Sequence, residues 1–464
     1  MSEPLVEAGT VARARDDRRL LLAVCLATSL VPLNSTMVAV ALPDVARDLG
    51  VRPGSGLLLI SAYLVVTAAL QPIAGSLGDR WGRRGLVLGG VTVFGLSSVA
   101  AAGAPDLSVL VALRCLQAAG GALALPNAAA LVREALPPER RGRAFGMVGA
   151  AATVAASAGP PVGGLLTASF GWRAVFLVNV PLALTAVWAG RRSLPPAVRR
   201  PGGSFDLVGA LLLLTGLGGL SALLTTRPGG ATAVLGTGVV ALAWAAFVPH
   251  ELRCRHPVLD PRLFRSRGVA AGSLAVAASN LALYVLLLAV PVLLSGRYGY
   301  AALGLLLVPL PGASSMLSPV GGRLSDRLGR RTPAVLGLGL LTTALLPLVV
   351  LGRLPSVPVL LVVLGMAGAG LGLAQAPVQA AAVEAVAPER AGMAAGAWST
   401  SRYLGSIIGS AVLAAVLHGR PSTVALRPVL ILAAAGAVVS LGAALALPRH
   451  PPNPSPHRAS SDRR

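Results

Sequence analysis

The chain is 464 residues long, 55% hydrophobic and 12% charged, with a mean hydropathy of +0.75. Soluble domains carry about a quarter charged residues, so this composition excludes a soluble protein and points to a helical membrane protein. A formal net charge of +22 would suit a nucleic-acid binder, but every basic residue is arginine and their placement follows membrane topology instead.

In chain order, a polar segment over 1–19 precedes six apolar runs, Leu20–Leu42, Gly56–Leu77, Gly85–Gly103, Leu107–Val132, Arg143–Ser169 and Ala174–Gly190. Together they make an N-terminal six-helix half over 20–192. A Pro-, Gly- and Arg-rich linker, 193–206, leads to an inserted two-helix element over 207–250, with runs at Leu207–Thr225 and Ala231–Val248. A second basic linker, 251–267, joins it to a C-terminal six-helix half over 268–447. Its runs are Gly268–Leu294, Tyr300–Gly322, Pro333–Leu351, Val357–Val383, Ala391–Leu417 and Pro428–Leu447. The polar, Pro-rich tail 448–464 reads as disordered. Each run has roughly 18–25 residues, enough to cross a ~30 Å hydrocarbon core. The expected fold is all-α and integral to the membrane, with fourteen transmembrane helices. The first run is too long for a signal h-region and no small-residue cleavage pattern follows it, so the first helix is expected to be retained.

With the N-terminus placed in the cytoplasm, 29 of the 39 arginines fall in cytoplasmic segments and 8 in outer loops; Arg114 and Arg402 fall within spans. Such a bias is the positive-inside pattern. It predicts a multi-pass protein of the cytoplasmic membrane with both termini cytoplasmic, in contact with membrane lipid and not with nucleic acid. Cys25, Cys115 and Cys254 show neither a disulfide framework nor a metal-ligand spacing. The five histidines all read as loop or tail residues. No metal, no cofactor and no enzymatic nucleophile–base set is expected. The Gly-rich "GLGLAQA" follows no soluble strand, so it reads as helix-packing sequence and not as a nucleotide loop.

An internal repeat supplies the architecture. "GSLGDRWGRR" (Gly75–Arg84) recurs as "GRLSDRLGRR" (Gly322–Arg331), with seven of ten positions identical at an offset of 247. "PERRGRAFG" (Pro138–Gly146) recurs as "PERAGMAAG" (Pro388–Gly396), with six of nine identical at an offset of 250. Parallel halves related about an axis along the membrane normal are a transporter plan, with substrate bound near midplane between them. In the first motif, Asp79 can sit near the positive N-terminal end of the third helix, beside Arg80 and Arg83. Asp326, Arg327 and Arg330 repeat that arrangement. The reading is a charge latch for gating; a short basic loop serving topology alone is the alternative.

Three further stretches carry polar or helix-breaking residues inside apolar runs. "LVALRCLQAAGGALALP" (Leu110–Pro126) places Arg114 and Gln117 about 10 Å deep, where an arginine costs at least ~2.5 kcal/mol on insertion scales. It reads as a substrate or coupling residue, or else as a pin bonded to carbonyls and Gln117. Arg402, in "STSRYLGSIIG", is a second buried charge with the same two readings. In "ASAGPPVGGLL" (Ala156–Leu166), Gly159, Gly163 and Gly164 permit close helix approach, while Pro160 and Pro161 remove helix hydrogen bonds. In "VPLNSTMVAVALP" (Val31–Pro43), Asn34 lies after Pro32 at nearly the depth of Arg114, which suits a cavity lining; a helix–helix hydrogen bond is the other reading.

These motifs, with "GWRAVFLVNVP" (Gly171–Pro181) and "FDLVGALLL" (Phe205–Leu213), resemble the major facilitator superfamily, over about residues 20 to 445. Within it they are similar to the fourteen-span drug:proton antiporters of the EmrB/QacA type. The resemblance implies the major facilitator fold, two six-helix halves plus two inserted helices, and alternating-access efflux of small amphipathic organic molecules. It also implies multidrug and antibiotic resistance, and that "AGPPVGG" is a helix-bend antiporter motif sealing the interface between halves. The first-helix signature of that family carries an Asp before the Ser/Thr pair. Asn34 stands there in this chain, and Ala39 replaces a later Asn. None of the seventeen acids falls inside an expected span. Proton antiport must then use acids at helix ends, Asp44 or Asp79, or be altered. The alternatives are an uncoupled facilitator or exchanger of the same fold, and a transport-dead receptor or assembly partner; an accessory partner is left open.

Overall fold

The computed structural model describes residues 3–196, 206–226, 228–254, 257–351, 356–387, 390–417 and 423–449. Most of the linker over 193–206 and all but the first residues of the tail over 448–464 lie outside the described residues. Among the described residues fourteen helices are long and apolar enough to cross a membrane, and their order follows the apolar runs. They are α1 (Glu3–Asp48), α2 (Leu58–Trp81), α3 (Arg83–Ala102), α4 (Leu107–Ala135), α5 (Pro138–Phe170), α6 (Asn179–Ser193) and α7 (Leu207–Thr226). Then follow α8 (Gly230–Arg253), α9 (Arg267–Leu294), α10 (Pro309–Leu328), α11 (Arg331–Leu351), α12 (Val357–Glu384), α13 (Ala391–Leu417) and α14 (Thr423–Leu445).

Helix is the only single-segment structure that satisfies every backbone group without water, so each run becomes one. Prolines modulate this locally. Pro181 and Pro309 lack the amide that would continue the ladder, and near each the span divides into a short leading helix, Arg173–Leu177 or Tyr300–Leu307, and the main helix. By contrast α5 runs through Pro160 and Pro161 without interruption. Helices also run past the apolar stretches: α1 carries Asp44 and Asp48, and α8 carries His250 and Glu251. His250 is thus a helix residue and not the loop residue expected from sequence; the helix outlasts the hydrophobic run because its last turn finds polar partners.

The repeat is visible in packing as well as in sequence. In the first set of six helices α1 packs on α5 and α6, α2 on α4, and α3 on α4 and α6. In the last set α9 packs on α13 and α14, α10 on α12, and α11 on α12 and α14. Backbone contacts recur too. A Cβ on Gly90 would come 2.5 Å from the Gly120 carbonyl oxygen, and one on Gly337 the same distance from that of Gly370. Such approach is open only to glycine and gives tight van der Waals and dipole contact between α3 and α4, and between α11 and α12. The loop motif ends α2 at Gly82 (φ 93°) and α10 at Gly329 (φ 79°), left-handed positions that an L side chain resists. The inserted α7 and α8 pack together, and α7 lies against α2 and α13, one helix of each set.

The two sets meet tightly at the end of the bundle opposite the arginine-rich loops. A Cβ on Gly164 of α5 would lie 2.4 Å from the Tyr300 carbonyl oxygen, and one on Gly304 would lie 2.3 Å from that of Pro160. Nearby, the Arg47 guanidinium sits over the Tyr300 ring at 5.8 Å. Replacing Gly164 with Val should therefore prise this end apart. Spin labels at positions 52 and 297 should move further apart in Gly164→Val than in the parent protein. A penalty of ~1.4 kcal/mol on closure would change the conformational ratio tenfold.

Candidate functional site

The polar residues of the first set converge on the interior of that set. Asn34 Nδ2 donates to Gln117 Oε1 at 3.2 Å, and Arg114 Nη1 donates to the same oxygen at 2.5 Å. Gln117 Nε2 donates to Ser98 Oγ at 2.6 Å, and Asn179 Nδ2 to Asn34 Oδ1 at 3.0 Å. Arg114 Nε reaches the Leu59 carbonyl at 3.3 Å, and its guanidinium lies 4.2 Å from the centre of the Tyr63 ring. One network thus ties α1, α2, α3, α4 and α6. Asn34 and Gln117 are 0% exposed and Arg114 is 1% exposed. The expected cavity lining by Asn34 is corrected for this conformation: its amide is spent on Gln117 and Asn179, which leaves nothing facing an opening.

Between the two sets the polar groups are different ones. Gln71 Nε2 of α2 donates to the Tyr403 hydroxyl of α13 at 3.1 Å, and Ser399 Oγ lies 3.5 Å from Gln71 Oε1. Ser157 of α5 and Ser315 of α10 share a hydrogen bond of 2.7 Å. Arg402 is half-buried, packed over the Tyr403 ring at 4.8 Å and 6.0 Å from that of Trp398. Its buried Nε has no hydrogen-bond partner. Tyr284 of α9 lies within electrostatic reach of Arg402 and Tyr403. Arg402 thus lies near the junction, and Tyr284 is within electrostatic reach of both Arg402 and Arg114.

The loop motifs form two matching charge clusters. Arg83 pairs with Asp79 at 2.6 Å and with Glu134 at 3.2 Å. Arg330 pairs with Asp326 at 2.7 Å and with Glu384 at 2.7 Å. Each joins the end of one helix to the end of the helix two further on, α2 to α4 and α10 to α12. The two carboxylates hold Arg330 more firmly charged than a free guanidinium. Arg80 and Arg327 are exposed. Glu134 and Glu384 were not singled out from sequence, although they stand 250 residues apart, the offset of the second repeat.

The bend motif has two faces. A Cβ on Gly159 would strike the Thr36 side chain, and one on Gly163 the Met37 backbone at 2.7 Å, so this face seats α5 on α1. Gly164 and the Pro160 carbonyl face the other set at Gly304. Close by, Asp44 Oδ2 accepts from the Trp172 amide at 3.1 Å while Asp44 Oδ1 pairs with Arg47. Asp48 Oδ2 accepts from Trp172 Nε1 at 2.9 Å and Arg173 Nη1 at 2.6 Å. "GWR" is thus the clasp on the far end of α1. Asn179, in the same stretch, is the partner of Asn34, and only its place in that quoted stretch hinted at it.

Three comparisons bear on this geometry. The family profile described as Major Facilitator Superfamily matches residues 24–410 and 272–464. The chain is 34% identical over 407 residues to "Multidrug resistance protein Stp" of Mycobacterium tuberculosis (strain CDC 1551 / Oshkosh), covering 86% of this chain and 75% of that protein. It is 32% identical over 411 residues to the "Tetracenomycin C resistance and export protein" of Streptomyces glaucescens, covering 86% and 76%. In fold it is similar to a bacterial homologue of the human lysosomal transporter Spinster, solved inward-facing and unoccupied. That likeness has a TM-score of 0.67 at 16% identity, over 93% of this chain and 98% of that one.

The two membrane arginines should respond differently to mutation. Arg114→Ala leaves the Leu59 carbonyl without its side-chain donor and removes a charged donor from Gln117. It should cost about 2–3 kcal/mol and lower the thermal midpoint of the detergent-purified protein. Arg402→Ala, which removes no such network, should leave that midpoint close to the parent value.

Proposed function

The chain belongs to the Major Facilitator Superfamily, and from that premise we propose that it is a multidrug efflux transporter that moves small amphipathic organic molecules out of the cell by alternating access. The observation that carries the reading is the pair of packed helix sets, which close on each other at the Gly164–Gly304 contact and hold Arg402 near their junction. The reading puts the protein in the cytoplasmic membrane with both termini inside, on the arginine distribution. It makes the present conformation the inward-facing one. The clusters around Arg83 and Arg330 then act as latches at the cytoplasmic ends of α2, α4, α10 and α12. The six-plus-two-plus-six division, a scaffold role for Asn34 and Gln117 around Arg114 and the sealing role of the bend motif belong to the same reading.

Charge decides the substrate class. Arg402 lies near the junction, and the nearest acids sit at helix ends. At an effective dielectric near 20, unit charges about 4 Å apart interact by roughly 4 kcal/mol, so a cation beside Arg402 meets repulsion and an anion attraction. Neutral, zwitterionic and acidic amphiphiles are the proposed substrates. Proton antiport, where it operates, is assigned to Asp44. That carboxylate is buried at the closed end, and its Arg47 partner leans on Tyr300 of the other set. Opening this end breaks the Arg47–Tyr300 contact and bares Asp44 to outside protons, which links protonation to conformation. Among the described residues no acid pairs with Arg402, which favours, as the second reading, an uncoupled exchanger.

Uptake into inverted vesicles, with and without an imposed pH gradient, separates the two. Acceleration by the gradient that disappears in Asp44→Asn supports antiport, and gradient-independent uptake supports exchange. In the same vesicles Arg402→Gln should slow acidic compounds about tenfold, well within the roughly 4 kcal/mol available, and leave neutral ones nearly unchanged. Robust export of lipophilic dications by the parent protein would contradict the charge argument. Orientation has its own test. Reporters fused after Arg464 and inserted at Arg80 should report cytoplasm, and one inserted near Arg353 should report outside.

A further inference from the structure

A polar cluster at the ends of α7 and α8 has no role in the reading above. Asp206 caps α7, its Oδ1 accepting from the Gly209 amide at 2.7 Å. The same oxygen lies 2.7 Å from His250 Nε2, on the last turn of α8. Glu251, the next residue, is 1% exposed and accepts from the Leu259 amide at 3.0 Å through Oε2. That leaves Asp206 Oδ2 and Glu251 Oε1, both buried and both without a hydrogen-bond partner. They point into the same place. A Cβ built on Gly209 would lie 2.3 Å from the first and 2.4 Å from the second, so only the missing side chain of this glycine gives them room. Donor atoms of Asp206, His250 and Cys254, the residue that follows α8, all lie within 4.8 Å of one another.

Two buried carboxylate oxygens without donors are costly unless something positive joins them. A carboxylate, an imidazole and a thiol beside them form a mixed O, N and S set, the set that suits a tetrahedral d10 divalent cation. Ligand atoms of a tetrahedral ion stand roughly 3.3–3.8 Å apart, so the His250–Asp206 pair must open from 2.7 Å while the group, spread within 4.8 Å, draws in around the ion, which replaces the proton between His250 and Asp206. We propose that Asp206, His250 and Cys254 bind a zinc-type divalent cation, with the buried Glu251 carboxylate beside the site adding negative charge. The bound ion ties the start of α7 to the end of α8 and to the segment that leads on to α9. His250 and Cys254 stand four residues apart, but the third donor, Asp206, lies 44 residues from His250, so the set forms only when α7 and α8 pack.

The test uses the whole chain, purified in detergent, reduced and stripped with chelator, with Co2+ as the probe. One equivalent should give a thiolate-to-cobalt charge-transfer band and intense tetrahedral d–d bands, both erased by Zn2+. Cys254→Ser should lose the charge-transfer band. His250→Ala should weaken binding by at least about tenfold. A Cys25→Ser/Cys115→Ser double variant should behave as the parent. No stoichiometric Co2+ binding by the parent protein would overturn the proposal, as it would if the two carboxylates simply share a proton. A charge-transfer band that survives Cys254→Ser would overturn it as well. Because the readout is spectroscopic, failure of this site leaves the transport reading untouched, and the reverse also holds.

Discussion

The side-chain oxygen of Gln117 accepts from Arg114 and from Asn34 at once, and the first six helices are arranged around that fact. A guanidinium within the membrane is tolerated only where its donors are met. Arg114 meets them with Gln117, the Leu59 carbonyl and the face of Tyr63. To bring those groups together, α4 must present one face to α2 and α3, and α1 and α6 must close over it with Asn34 and Asn179. Its members bond one another, while Asn179 Oδ1 stays buried without a hydrogen-bond partner. Losing further partners would be costly, so these polar positions constrain helix rotation more sharply than the apolar positions around them.

Among the described residues the second set of helices shows no such knot. Its arginine, Arg402, sits on α13 and keeps a buried, unpartnered Nε. The two sets nevertheless share their skeleton: the same helix pairs, the same glycine crossings at Gly90–Gly120 and Gly337–Gly370, and the same three-residue charge clusters. Duplication preserved what holds each set together and let the polar interior diverge. The two sets therefore share a skeleton and differ in their polar interior, one holding a bonded guanidinium and the other a guanidinium with a buried free Nε.

The acids that tie helices together lie at helix ends. Asp44 and Asp48 hold the "GWR" clasp; Asp79, Glu134, Asp326 and Glu384 hold the clusters at the opposite end; Asp206 and Glu251 crowd over Gly209. Near the interface, polar headgroups and water lower the cost of ionisation, whereas the midplane offers neither. These acids sit where helix ends are tied together, and the described interior of the first set is held by neutral polar groups and arginine.

Hydrophobic length is a local property, so the number and order of the spans, the duplication, and the equivalence of Asp79 with Asp326 were all legible in the sequence. So was the resemblance carried by "GSLGDRWGRR" and "AGPPVGG". The direction in which each side chain points was not legible. It depends on the rotation of a helix about its axis, and that rotation is set by neighbours far away in the chain. Asn34 read as a cavity residue because polarity beside Pro32 suits an opening; its partner Asn179 lies 145 residues on, and packing turned both inward. Glu134 and Glu384 became functional candidates only once α4 and α12 came alongside the loop motifs. His250 moved from an expected loop to the last turn of α8, and its meeting with Asp206, Glu251 and Cys254 depends on α7 and α8 lying antiparallel. The sequence by itself determined which segments cross the membrane, because burial in lipid is decided one helix at a time. Tertiary structure alone decided which polar groups face one another, because each of those groups is satisfied only by a residue from another helix.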